Sequence, residues 1–101
     1  STPTSALAGL VNSCTVAALQ VALEMNLTLP RDLGVTGIDD FPAATIVRPT
    51  ITVVAQPLIQ IAEWSVDILC DTLAGSKQIL PEAYLLEPRL MVRKSLPRVI
   101  V

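Results

Sequence analysis

The stretch Leu33-Gly34-Val35-Thr36-Gly37-Ile38-Asp39-Asp40-Phe41 decides how the chain reads. Five apolar or small residues, Leu33 to Gly37, lead through Ile38 into two adjacent carboxylates. A short apolar run between breakers, here Pro30 and Pro42, is the signature of a buried strand. Gly34 and Gly37 let neighbouring backbone come close. A charged pair at the end of such a strand must escape into water or meet a ligand, because an unpaired buried carboxylate is too costly.

Working outward, Ala6-Leu7-Ala8-Gly9-Leu10-Val11 reads as another strand buried on both faces. Asn12 or Ser13 then caps a helix by accepting a bond from its first free amides. Val16, Leu19, Ala22 and Leu23 recur at helical spacing, and Asn26 closes the helix in the left-handed conformation with Leu27 folding back. After Phe41 the chain is loop-like, with one helical turn following Pro42. Ile51-Thr52-Val53-Val54-Ala55 is a third strand, and Pro57 opens a helix that runs to about Ala74 and stops at Gly75.

That second helix is amphipathic. Leu58, Ala62, Ser65, Val66, Leu69 and Leu73 share one face, and Gln60, Glu63, Asp67 and Asp71 the other. Trp64 falls within the polar face, as an interface contact or as an ordinary exposed aromatic. The end of the chain is β-like: residues 83–88 form a candidate strand, and Arg89 to Ser95 alternate Leu90 and Val92 with Arg89, Met91 and Arg93. Residues 97–101 have high β propensity and no assigned place. Strand–helix–strand alternation with buried strands predicts an α/β fold, a parallel sheet flanked by helices. Ligands of such sheets sit beyond the carboxyl ends of the strands, and Asp39 stands at one of them.

Composition bounds the rest. The 101 residues suffice for one small domain, and 51% of them are apolar with a net charge of −2. That excludes disorder and offers no broad positive field for nucleic acid. Four of the seven basic residues (Arg89, Arg93, Lys94 and Arg98) lie near the C-terminus and read as a small solvated face. The uncharged run before Glu24 has no basic start and contains Asn12, Ser13, Thr15 and Gln20. It fits neither an export signal nor a membrane span. Cys14 and Cys70 fall in separate helices and read as reduced, packed thiols of a cytosolic protein.

The chain contains no histidine, no clustered third carboxylate and no phosphate-cradling glycine loop. No metal, no cofactor and no catalytic residue is therefore expected. Neighbouring carboxylates on an extended chain point to opposite sides, so Asp39 and Asp40 do not share one ligand. Asp39 alone can accept two charge-assisted bonds from the vicinal hydroxyls of a neutral polyol, or it can simply solvate the strand end.

The order Pro30-Arg31-Asp32-Leu33-Gly34-Val35-Thr36-Gly37-Ile38-Asp39-Asp40, then Pro49-Thr50-Ile51-Thr52-Val53-Val54-Ala55-Gln56-Pro57, then a long helix, resembles one bacterial family. It is the lactose-repressor/galactose-repressor family of transcription regulators, and the likeness covers about residues 4 to 96. The resemblance implies the C-terminal part of a type I periplasmic-binding-protein fold, a partial doubly wound sheet. It implies that Asp39 contacts an effector, a sugar or related metabolite. Val11 aligns with a position that is often an effector-contacting Asn, and valine can neither donate nor accept there. Asn12 matches the family's helix-capping position, and Phe41 lies where it could stack on a sugar ring. The resemblance further implies a cytoplasmic homodimer that meets operator DNA only through an N-terminal headpiece not present in these 101 residues. Residues 1–101 then read as a fragment of the effector-binding domain, with the helix from Pro57 deprived of most of its packing partners. A secreted sugar-binding protein of the same fold is the alternative.

Overall fold

Strands β1 (Ala6–Gly9), β2 (Gly34–Ile38), β3 (Thr52–Ala55) and β4 (Arg89–Met91) pair in the order β1-β2-β3-β4. The first three are parallel and β4 is antiparallel to β3, so the sheet is mixed rather than wholly parallel. Helix α1 (Asn12–Glu24) connects β1 to β2, and a 3-10 turn at Pro42–Thr45 lies between β2 and β3. The computed structural model describes residues 5–75 and 85–97. Two units divide it: Ser1–Gln56 with Arg89–Val101, and Pro57–Pro88, which carries helix α2 (Leu58–Leu73).

The core of the first unit lies on one face of the sheet, where two clusters meet at Leu19. One contains Ala22, Leu33 and Val35; the other contains Ala44, Ile51 and Val53, with Met91 packed against it. Val35, Ile51 and Val53 are completely buried. Each such aliphatic side chain contributes roughly 1.5–3 kcal/mol relative to leaving it in water. On the opposite face an open groove of about 870 Å³ runs over Thr36, Thr52 and Leu90 and is flanked by Leu96 and Pro97.

Helix α1 sits close to the sheet because two glycines make room for it. Gly9 and Gly37 are register partners on β1 and β2. A Cβ on either would lie just over 2 Å from the Thr15 hydroxyl, at 2.2 Å and 2.1 Å. Thr15 is fully buried there, and its hydroxyl donates to the Val11 carbonyl at 3.3 Å. The inward face of α1 is therefore Thr15, Ala18, Leu19 and Ala22, while Val16 and Leu23 are exposed. Of the expected face of Val16, Leu19, Ala22 and Leu23, Leu19 and Ala22 do turn inward, and Val16 and Leu23 do not. Close approach selects small side chains over large ones.

The end of α1 agrees with its sequence. Asn26 has φ +56°. Leu27 N–H bonds to Ala22 O at 2.9 Å and Asn26 N–H to Leu23 O at 3.1 Å, the paired bonds of a Schellman closure. Leu27 packs back on the core. The start does not agree. Val11, with extended backbone, is the residue that precedes the helix, and Asn12 is already its first helical residue. Asn12 makes no capping bond; the first turn is closed by Cys14 and Thr15 N–H on Val11 O, both at 3.1 Å.

Other expectations change as well. β1 ends at Gly9 rather than Val11, and Ala6 to Ala8 are exposed because β1 is the edge strand among the described residues. Cys14 and Cys70 are exposed thiols, not packed ones. On β4 the inward residue is Met91, the partner of Val53, while Leu90 and Val92 are exposed. Residues 85–88 of the candidate strand are not extended pairs, and residues 83–84 lie outside the described region, as do 98–101 of the tail.

The second unit is helix α2 with its flanks. Pro57 stands just before the helix rather than within it, and Gly75 follows its end with φ +81°. No residue of α2 is buried, and its apolar face, Leu58, Val66, Leu69 and Leu73, is exposed. Trp64 is about one-third exposed, at 36%. No described helix is long and apolar enough to cross a membrane.

Candidate functional site

Three parallel strands deliver three residues to one edge of the sheet. Gly9 pairs with Gly37 and Ile38 with Val54. Val11, Asp39 and Gln56 therefore each stand just past the carboxyl end of adjacent strands β1, β2 and β3. Val11 is half exposed, and Asp39 is partly buried. This is the edge at which open α/β sheets hold their ligands.

The two carboxylates divide there. Asp39 takes the left-handed conformation, with φ +78°, and its N–H bonds to Val54 O at 2.8 Å, extending the β2–β3 ladder by one step. Asp tolerates this region better than most residues with a side chain. The Gln56 side-chain amide donates to Asp39 Oδ1. Gln56 thus belongs to the site, which sequence reading missed. The available signal was its place immediately after β3, equivalent to that of Asp39 after β2.

Asp40 turns to the other side and meets Arg93. The guanidinium donates through Nη1 to Oδ1 at 2.9 Å and through Nη2 to Oδ2 at 2.8 Å, a two-pronged bond. Nη1 also donates to Ile51 O at 2.9 Å, and the Phe41 N–H donates to Asp40 Oδ1 at 2.9 Å. Arg93 holds the Asp40 carboxyl below its ordinary range; the Phe41 amide adds to this, and partial burial opposes it. The side chain of Arg93 is only 13% exposed. Arg93 is therefore a structural cation rather than part of a solvated basic face.

The segment after β4 is stitched to the sheet by its polar atoms. Arg93 N–H donates to Thr52 Oγ1 at 2.8 Å, and Lys94 N–H to Thr50 O at 3.0 Å. Ser95 is fully buried: its hydroxyl accepts Thr52 N–H at 2.9 Å and donates to Val35 O. Ser95 O in turn accepts Val35 N–H at 3.1 Å.

Phe41 is a partly buried residue of the core. It packs on the cluster of Ala44, Ile51 and Val53 and lines, with Leu19 and Val47, an apolar groove of about 580 Å³. Asp39 and Val11 line neither that groove nor the one on the opposite face. Trp64 belongs to the second unit. No group of three or more metal-ligating side chains occurs among the described residues. At the sheet edge the arrangement offers a carboxylate, an amide and an apolar side chain, a set chemically able to hydrogen-bond hydroxyls and without a nucleophile–base pair of its own.

Comparison with known proteins gives the same fold. Residues 2–96 match the profile of the periplasmic binding protein-like domain. The HTH-type transcriptional regulator KdgR of Bacillus subtilis is 32% identical over 73 residues, 72% of this chain and 21% of that protein. The transcriptional regulator CelR in its cellobiose complex superposes with a TM-score of 0.81 at 30% identity, over 92% of this chain and 28% of that one. A LacI family regulator from Enterococcus faecium with bound ribose has a TM-score of 0.84 at 20% identity, over 94% of this chain and 35% of that one. The chain thus spans about one fifth of the length of the curated relative KdgR.

Proposed function

The chain belongs to the family of periplasmic binding protein-like domains, its relatives being bacterial regulators of the LacI type, and from that premise we propose that it is the C-terminal part of a transcription regulator's effector-binding domain. Its ligand on this reading is a small sugar or related metabolite, held at the carboxyl edge of the sheet by Asp39. The observation that carries the reading is the placement of Asp39, with a carboxylate facing Gln56 rather than a main-chain amide, beyond the end of β2. A carboxylate there accepts bonds from vicinal hydroxyls, and the amide of Gln56 holds it in place to do so. Val11 supplies an apolar contact at the same edge. The cellobiose complex of CelR supports a sugar as the ligand class.

The intact regulator on this reading is a cytoplasmic homodimer that meets operator DNA through a helix-turn-helix headpiece outside these residues, and it catalyses no reaction. Trp64 is proposed as one of its interface contacts. Effector binding alters operator affinity only to the extent that it favours one conformation over the other.

The test is titration calorimetry of the full-length gene product with cellobiose and a panel of mono- and disaccharides. One sugar binds, and Asp39→Ala weakens it by roughly a factor of ten or more, the loss of one or two charge-assisted bonds. Unaltered affinity in Asp39→Ala removes that carboxylate from the site.

A further inference from the structure

Asp39 has an exceptional backbone, and what holds it so is remote in sequence. Its φ of +78° is a region that residues with a Cβ seldom adopt, Asp less seldom than most. Such a conformation persists only where the surroundings fix it. On the N-terminal side, Ile38 is held in the ladder with Val54. On the C-terminal side, the next residue is Asp40, and both of its oxygens are held in the fork of Arg93. Arg93 is itself fixed, by its side chain on Ile51 O and by its own N–H on Thr52 Oγ1. The left-handed residue is thus clamped between a ladder bond and a bidentate ion pair.

We propose that Arg93 is a positioning residue for the effector carboxylate: by gripping Asp40 it locks the turn that aims Asp39 at the carboxyl edge of the sheet. The proposal rests on the reading of Asp39 as the effector contact. Arg93 touches no ligand. It acts by keeping the binding-competent backbone populated, and apparent affinity falls in proportion to any loss of that population.

Two measurements on the full-length protein test this, and the first requires no ligand. In Arg93→Ala, the Asp39 amide exchanges with solvent about tenfold faster, because its bond to Val54 O depends on the locked turn, while the Leu27 amide that closes the end of α1 keeps its protection. Unchanged exchange at Asp39 overturns the proposal whatever binds. The second is the affinity for cellobiose, or for whichever sugar of the panel binds. Arg93→Ala weakens it about tenfold, and Arg93→Lys, which keeps the charge and loses the fork, falls between.

In the Asp39→Ala background, Arg93→Ala costs no further affinity, since its effect passes through Asp39. An additive loss assigns Arg93 a merely structural role and overturns the proposal. Where Arg93→Ala fails to fold, Asp40→Asn gives the same two readings. If Asp39→Ala alone leaves sugar affinity intact, the ligand reading of Asp39 fails, a result distinct from unchanged exchange at its amide.

Discussion

Gly9 and Gly37 face each other in register, and Thr15 fills the space that their missing side chains leave. The two positions differ in what a methyl group would strike. At Gly37 the three atoms nearest to it all belong to the Thr15 side chain, with Oγ1 at 2.1 Å, Cγ2 at 3.0 Å and Cβ at 3.1 Å. At Gly9 it also meets the Thr15 backbone, with N at 2.6 Å and Cα at 2.8 Å. Gly37→Ala therefore costs about 1–3 kcal/mol, and Thr15→Ala in the same chain recovers most of that. Gly9→Ala costs more and is not recovered, because the helix itself must move. Urea unfolding of the two double-mutant cycles measures both, with a strong coupling energy expected only for the Gly37 pair.

Asn26 makes a second, local prediction. With φ +56°, it closes α1 through the bonds of Asn26 and Leu27 to Leu23 and Ala22. Alanine resists this conformation, so Asn26→Ala lowers stability by about 1 kcal/mol. Glycine accepts it freely, so Asn26→Gly is neutral to within a few tenths of a kcal/mol or slightly stabilising. The midpoint of urea unfolding separates the two variants at an unchanged slope.

Asn26 and Gly75 were legible in the sequence because the signal and the structure are the same few residues. Strands β2 and β3 were legible for a similar reason, as apolar runs between breakers. The inward face of α1 was legible in part: Leu19 and Ala22 followed from helical spacing, whereas the inward turn of Thr15, in place of Val16 and Leu23, depends on Gly9 and Gly37 meeting in register. Asn12 looked like a cap by residue type, but the chain turns into the helix one residue earlier, at Val11. On β4, pairing with Val53 turned Met91 inward against the expectation from Leu90 and Val92. At the site, Asp39's place at a strand end followed from local pattern. The partners of both carboxylates did not: Gln56 and Arg93 lie 17 and 53 residues further along the chain.

Ser95 tests the stitching of the segment after β4. Its buried hydroxyl serves a donor on β3, Thr52 N–H, and an acceptor on β2, Val35 O. Ser95→Ala leaves both without their partner in a site that water does not reach, at about 1–3 kcal/mol for each. A loss of at least about 2 kcal/mol is expected, with faster amide exchange at Thr52. A loss below about 0.5 kcal/mol shows that the segment relaxes and the strands re-pair without it.

The Asp40–Arg93 pair makes stability depend on pH with a definite sign. Arg93 holds the folded-state pKa of Asp40 below the unfolded value of about 3.9. The folded state thus favours the ionised form, and the pair's contribution is fully present above that unfolded value. It fades as pH falls through the depressed folded value and is absent once Asp40 is protonated. Asp40 is about one-third exposed, which screens the pair, so Asp40→Asn costs on the order of 1 kcal/mol at pH 7. Asp32 is depressed in the same direction, chiefly by the Thr28 backbone N–H, so it too contributes to the pH dependence. The decisive quantity is therefore the difference between the protein and Asp40→Asn, measured by urea unfolding from pH 7 downward. That difference is flat to about pH 5 and shrinks below about pH 4. A difference that persists unchanged at pH 2 assigns the loss to packing of the amide rather than to the ion pair.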